Sequence, residues 1–144
     1  MKMTDDQITE VIIGCAYQVH NTLGSGFLEK VYENSLLIEL LKRGLKVEQQ
    51  APIKVWYDGR EVGKYYADLW VEDRIIVELK AVQSLTKEFE IQLVHYLAAT
   101  GVETGLLLNF GASVHVKRKY REYKPKSPIK TIPVNPEKNL VNPV

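Results

Sequence analysis

The chain has 144 residues, 45% hydrophobic and 26% charged, with a formal net charge of +1. That is one domain long enough for a proper core, and a balance that argues neither for nor against nucleic acid. The single cysteine, Cys15, excludes an intrachain disulfide framework and a multi-cysteine zinc site. No apolar run approaches the roughly 18 residues of a membrane span, and the first residues, MKMTDDQITE, lack the apolar stretch of a signal peptide, so a cytoplasmic protein is the expectation.

Thr4, followed by Asp5, Asp6 and Gln7, is a helix start with a capping threonine, first-turn acids and a glutamine three residues on. Ile8, Val11, Ile12, Cys15, Ala16 and Val19 repeat at helical spacing, which predicts a first helix to about Asn21. Leu23-Gly24-Ser25-Gly26 breaks it. A second helix is expected from Leu28 to Arg43, stopped by Gly44, with Glu29, Tyr32 and Glu33 near or beside its apolar stripe.

From Leu45 the period changes to that of a strand. Lys46 to Gln50 alternates, Pro52 interrupts, and Ile53 to Tyr57 resumes before the hairpin signal Asp58-Gly59. Glu61 to Val71 reads as a longer strand, and Arg74 to Val82 as the next, after a short turn. Ser84 or Thr86 caps a third helix carrying Phe89, Leu93, Tyr96 and Leu97 and ending at Gly101. Thr104 to Phe110 is a continuous apolar run of the buried-strand type, and Ser113 to Tyr123 a last strand with one solvated face. The order αα-βββ-α-ββ predicts a mixed sheet flanked by helices, with a parallel crossover through the third helix. Beyond it, five prolines between Pro125 and Pro143 among Lys, Asn and Ser predict an extended tail over 124–144.

Within the second hairpin, period two places Ile76, Glu78 and Lys80 on one face and Ile75, Val77, Leu79 and Ala81 on the other. A turn near Glu72-Asp73 returns Asp68 towards Glu78. Two carboxylates and an ammonium then converge at the end of an apolar strand, where charge is costly unless paired or metal-bound. The alternative is a cross-strand ion pair at a sheet edge.

The order of elements, Asp68, Glu78-Leu79-Lys80, a glutamate in the preceding helix and Gln92-Leu-Val-His-Tyr96 in the following one resemble the PD-(D/E)xK nuclease superfamily and its restriction-endonuclease-like core. Gly26-Phe27-Leu28-Glu29-Lys30-Val31-Tyr32 resembles the signature of the GxxExxY family within it. The likeness covers residues 5–123, so the expected division is a nuclease-like domain over 1–123 and a tail over 124–144. Ala67 stands where the superfamily name has proline.

The resemblance implies that Asp68 and Glu78 ligate a metal, with the Leu79 carbonyl as a third oxygen and Glu29 as a further ligand. Hard oxygens with few protein ligands suit Mg²⁺ or Mn²⁺. Lys80 would stabilise charge on the phosphorus or orient the attacking water. Glu29 reads alternatively as a first-turn acid favoured by the helix dipole. Gln92 and Tyr96, one helical turn apart, would line the site and contact substrate, or Tyr96 is a core aromatic with a wet hydroxyl. Tyr32 and Tyr66 read as core residues, and His20 as a hydrogen-bonding partner of the glycine loop. Lys117, Arg118, Lys119 and Arg121, with Tyr120 and Tyr123 interleaved, are expected to contact phosphates, or else form a solvated strand face.

The function these residues imply is Mg²⁺-dependent hydrolysis of phosphodiester bonds in DNA, or less favourably RNA, with a homodimer as a further possibility. A non-catalytic nucleic-acid-binding or regulatory module on the same fold is the competing reading, and a small subunit that binds a partner through its tail is a third.

Overall fold

The structure is a computed structural model that describes residues 2–122; the tail expected over 124–144, and Tyr123 before it, lie outside the described residues. Helices α1 (Asp5–Leu23) and α2 (Glu29–Lys42) precede strands β1 (Val47–Tyr57), β2 (Arg60–Val71) and β3 (Ile75–Lys80). Helix α3 (Lys87–Thr100) and strands β4 (Thr104–Phe110) and β5 (Val114–Tyr120) complete the order read from the sequence. The strands form one sheet in the order β1-β2-β3-β4-β5, antiparallel except for the parallel β3–β4 pair.

The expected devices work locally except at α3, whose N-cap Thr86 makes no side-chain capping bond. Thr4 and Gln7 form a reciprocal capping box at the start of α1. Gly101 ends α3 in the left-handed region at φ 77. Helix α1 extends to Leu23, two residues beyond the expected Asn21. Strand β3 stops at Lys80 because the Val82 N–H and C=O bond the Asn109 side chain instead of a neighbouring strand.

The sheet lies between two apolar layers. Ile8, Ile12, Tyr32, Leu36 and Leu40 from α1 and α2 pack against Ile75, Val77, Leu79, Leu106 and Leu108. Leu93, Tyr96 and Leu97 from α3 pack on Ile76 and Leu107 across the other face. Each fully buried aliphatic side chain contributes roughly 1.5–3 kcal/mol. This three-layer α/β arrangement is the restriction-endonuclease-like core that the pattern predicts. Among the described residues, no helix is long and apolar enough to cross a membrane.

The β1–β2 hairpin departs from regular alternation. Val47, Leu69 and Val71 belong to the layer under α1 and α2, whereas Ala51, Ile53 and Ala67 belong to the layer under α3. Strict alternation would keep Ala67, Leu69 and Val71 on one face. The hairpin therefore changes phase between Val47 and Ala51 on one strand and between Ala67 and Leu69 on the other. Pairing passes from Gln49–Leu69 to Ala51–Ala67 without a Gln50–Asp68 pair, and Gln50 sits at φ 51. The interruption expected at Pro52 is thus absent: β1 is an edge strand that tolerates proline, and the distortion falls two residues earlier.

Candidate active site

Strands β2 and β3 pair at only three positions, Leu69–Val77, Trp70–Ile76 and Val71–Ile75. Past Leu69 and Val77 the backbone ladder stops, and side chains take its place. The Asp68 N–H donates to Glu78 Oε2 at 2.8 Å, and the Leu79 N–H donates to Asp68 Oδ2 at 2.8 Å. Each carboxylate thus accepts the main-chain proton of the opposite strand. The cost of parting two strands is offset by two hydrogen bonds to carboxyl oxygens, and two acids are held side by side in the seam.

Helix α2 closes the seam from one side. Gly26 has φ 104, a backbone that side-chain-bearing residues rarely adopt. Three residues on, Glu29 opens α2, whose N-cap Leu28 offers no side-chain cap. Three further on, Tyr32 is fully buried, stacked on Phe110 at 4.7 Å. Its hydroxyl donates to the Gly24 C=O at 2.6 Å and accepts the Phe27 N–H at 3.2 Å. The spacing of Gly26, Glu29 and Tyr32 therefore has a mechanical reason: the glycine turns the chain, the tyrosine pins the loop, and the glutamate between them is aimed. Tyr32 is a core residue as expected, with its hydroxyl used as well.

Two residues to which the sequence analysis assigns no role in the site complete the wall. Glu33 is 1% exposed and accepts from Lys30 Nζ at 3.0 Å, Gln49 Nε2 at 2.8 Å and Gln50 Nε2 at 3.0 Å. The Gln50 amide also reaches Asp68 Oδ1 at 3.3 Å. The distortion at Gln50 thus ties α2 to the seam through a single amide. A signal for Glu33 is present, since Glu29 and Glu33 are four apart and share a helix face. Nothing local marks Gln50.

The electrostatics follow from the crowding. Burial pushes the Glu78 carboxyl up to about 8, and the Asp68 charge adds to it against the opposing pull of the Asp68 N–H and Lys80. Burial also raises Asp68, which the Leu79 N–H pulls back down and the Glu33 charge raises further. Glu29 is raised by burial, with Lys80 opposing and Asp68 and Glu33 reinforcing. Among the described residues no ion pair within 4.0 Å relieves Asp68 or Glu78. Lys80 is near enough to act on all three acids, yet its ammonium rests 4.5 Å from the centroid of the Phe89 ring. The cross-strand ion-pair alternative therefore does not describe this hairpin.

From the other side, α3 contributes Tyr96, 7% exposed, whose hydroxyl is pushed up to about 12 by burial and by the Glu78 and Asp68 charges. Gln92, exposed on the same helix, lines a groove of about 640 Å³ with Tyr96 and Tyr65. His20 bonds the Gly111 C=O at 2.8 Å, in the turn between β4 and β5 and not in its own glycine loop. Tyr66 is 48% exposed, which corrects the core role favoured for it: it lies on the hairpin beyond the phase change, where no helix among the described residues covers its face.

The basic residues of β5 are not brought into the seam. In register, Lys117 stands level with Glu78 but two strands away, about 10 Å by strand spacing. Lys119 pairs with Glu90 at 3.1 Å, Arg121 pairs with Glu103, and Arg118 reaches the Thr9 hydroxyl.

Among the described residues, no three acidic, histidine or cysteine side chains close around a metal by themselves. The donors present are hard carboxylate oxygens, with Glu78 Oε1 left over from the backbone bonding. That set fits a divalent ion held by one or two carboxylates and completed by water and phosphate, the habit of Mg²⁺.

Comparison with known proteins bears on the family and the fold. A family model described as the PD-(D/E)XK nuclease superfamily matches residues 6–122. No curated protein matches the sequence. Among solved structures, that of SSO0001 superposes with a TM-score of 0.54 at 18% identity, over 83% of this chain and 60% of that one. This chain therefore spans less than two thirds of that protein, and the likeness concerns the fold. An alkaline exonuclease (LHK-Exo) from Laribacter hongkongensis superposes at 0.49 with 12% identity, over 85% of this chain and 73% of that one, too weakly to carry an argument. With the family model spanning nearly all the described residues, the chain belongs to the PD-(D/E)XK nuclease superfamily.

Proposed function

We propose that this protein is a Mg²⁺- or Mn²⁺-dependent nuclease of the GxxExxY type that hydrolyses phosphodiester bonds of DNA, with RNA as the less favoured substrate, in the cytoplasm. The observation that carries the proposal is the seam itself: Asp68 and Glu78 face each other where β2 and β3 part, and no cation within ion-pair distance among the described residues neutralises them. Two buried acids with raised proton affinity and no paired cation are under an electrostatic strain that a divalent ion would relieve.

Asp68, Glu78, the Leu79 carbonyl and Glu29 are the assigned ligands. The metal, when bound, supplies Lewis acidity and a hydroxide-like nucleophile at neutral pH. The chain's own residues do the rest. Lys80, freed from pairing and resting over Phe89, neutralises charge that develops on the phosphoryl oxygens. Glu33 and Gln50 hold Asp68 in place, and Tyr32 holds the loop that aims Glu29. Gln92 and Tyr96 orient the substrate from α3. Lys117 and Arg118, exposed on β5, and Lys119 and Arg121 beside them are left for phosphates further along the strand. The domain is taken as 1–123 with a separate tail, and a homodimer would enlarge the substrate contact.

The test combines calorimetry and cleavage. Wild-type protein should bind Mg²⁺ or Mn²⁺ at millimolar concentration and cleave a panel of single-stranded, duplex, nicked and branched DNA and RNA. Lys80→Ala should keep metal binding and lose cleavage. Absence of any metal binding would overturn the proposal in favour of a non-catalytic binding module.

A further inference from the structure

The β1–β2 hairpin is longer than its sheet needs. The neighbour β3 covers only Leu69 to Val71 of β2, so everything from Arg60 to Ala67, with Ala51 to Tyr57 opposite, forms a two-stranded arm beyond the seam. One face of the arm is used: Ile53 and Ala67 are buried under α3, and Tyr65 leans on Tyr96 at 5.7 Å. Among the described residues, no helix lies over the other face.

Period two, counted outward from the seam, says what that open face carries. From Asp68 come Tyr66 and Lys64; from Gln50 come Pro52, Lys54 and Trp56. Lys54 and Lys64 are cross-strand partners. Lys64 Nζ lies 5.7 Å from the Tyr66 ring centroid and Lys54 Nζ 5.9 Å from that of Trp56. The two rings are about half exposed, at 48% and 50%. One acid, Glu61, touches this strip, 3.9 Å from Lys54. Two aromatic faces, each beside an ammonium, therefore lie on the arm face that starts at Asp68, with the hairpin register shifting between Val55 and Trp56.

We propose that this face is a stacking platform for the unpaired, single-stranded part of a nucleic-acid substrate. Flat rings with flanking lysines are the chemistry that receives bases and phosphates alternately, without regard to sequence. A duplex buries its base faces in its own stack and has nothing to offer Tyr66 or Trp56. The face begins at Asp68, so a strand lying on it delivers a phosphate to the seam. In naming that strand as substrate, this inference rests on the nuclease reading; the binding itself does not.

The experiment uses the full chain in EDTA, so that binding is read without cleavage. A fluorescein-labelled oligothymidylate of about 15 nucleotides and its ribo counterpart are titrated by anisotropy against a blunt duplex of the same length. Quenching of Trp56 fluorescence is followed in parallel, with Trp56→Phe removing the signal and Trp70 as background. Tyr66→Ala and Trp56→Ala should each weaken single-strand binding about 5-fold or more, Tyr66→Phe should restore it, and the duplex should respond less. Thermal melts confirm that each half-exposed site has been changed without loss of fold. Single-strand affinity within about 2-fold of wild type in both alanine variants would overturn the platform. So would a shift from dimer to monomer on sedimentation without a change in affinity, which would make the arm a subunit contact. A wild-type protein that binds and quenches but never cleaves with metal would sink the nuclease reading and leave the platform standing.

Discussion

The β5 edge of the sheet and the β2–β3 seam inside it both carry ionisable side chains, and they treat charge in opposite ways. At β5, Lys119 meets Glu90 and Arg121 meets Glu103 near the surface, and the hydrogen bond from Lys119 holds Glu90 below the ordinary carboxylate range. At the β2–β3 seam, Asp68 and Glu78 are pushed up, chiefly by burial, and each is satisfied by a backbone N–H in place of a cation. Paired surface charges of the first kind contribute little and need no further partner. Buried acids of the second kind are costly as they stand, which is the condition of a site built to receive something positive.

Removing the seam charges puts the largest effect at stake. Asp68→Ala, Glu78→Ala and Lys80→Ala should each lower metal-dependent cleavage by at least about 100-fold while circular dichroism shows the fold retained. If all three cleave like wild type, the chemistry lies elsewhere and the contrast between edge and seam loses its functional meaning. The next effect is on metal affinity. Glu78 holds its proton up to about pH 8, and a metal has to displace it. Apparent affinity should then fall by up to about 10-fold for each pH unit below that value, with proton release seen by calorimetry in buffers of different ionisation heat.

Stability supplies a third test, with a definite sign. The folded pKa of Glu78 lies above its ordinary value of 4.5, so between 4.5 and about 8 the folded state binds more protons than the unfolded one. This group's contribution therefore falls as pH rises through that window and is most favourable below it. Glu78→Gln should raise Tm by about 3 °C or more near pH 8 and flatten this slope, even as it abolishes cleavage. An unchanged pH profile of Tm would show that Glu78 is not strained. A smaller effect is expected from Tyr32→Phe, which removes one donor to Gly24 and one acceptor for Phe27. It should cost about 1 kcal/mol and weaken Mg²⁺ binding through Glu29, whereas a purely structural tyrosine would lower Tm alone. The smallest belongs to the far end of the sheet: Lys119→Ala and Arg121→Ala should each change stability by less than about 1 kcal/mol in urea.

Much of the fold is legible from the chain. Capping at Thr4, the glycine stops and the change of period at Leu45 are local, and local rules place seven of the eight elements within about two residues of their ends; the last strand, expected to Tyr123, ends three residues earlier at Tyr120. The acids of the seam are legible too, because a charged triplet at the end of Ile75-Ile76-Val77 is conspicuous against an apolar run. Glu33 and Gln50 are not. Glu33 resembles any helical glutamate until β1 is laid against α2, and Gln50 matters only because the hairpin changes phase beside it. Tyr66 is misplaced for the related reason that an aromatic in a strand is core or surface according to which helix covers it.

Short-range periodicity and residue type were enough for the order of elements and for the two carboxylates and lysine at the end of one hairpin; the Gly-x-x-Glu-x-x-Tyr loop before it stood out only through its resemblance to a family signature. The fold in three dimensions added the parting of β2 and β3 at Asp68 and Glu78, the retention of the β5 cations away from the seam, and an open arm face that continues from Asp68. Those outcomes depend on which strands stop pairing and which surfaces find a helix to cover them. They are set by packing between segments far apart in the chain, which periodicity within one segment does not encode.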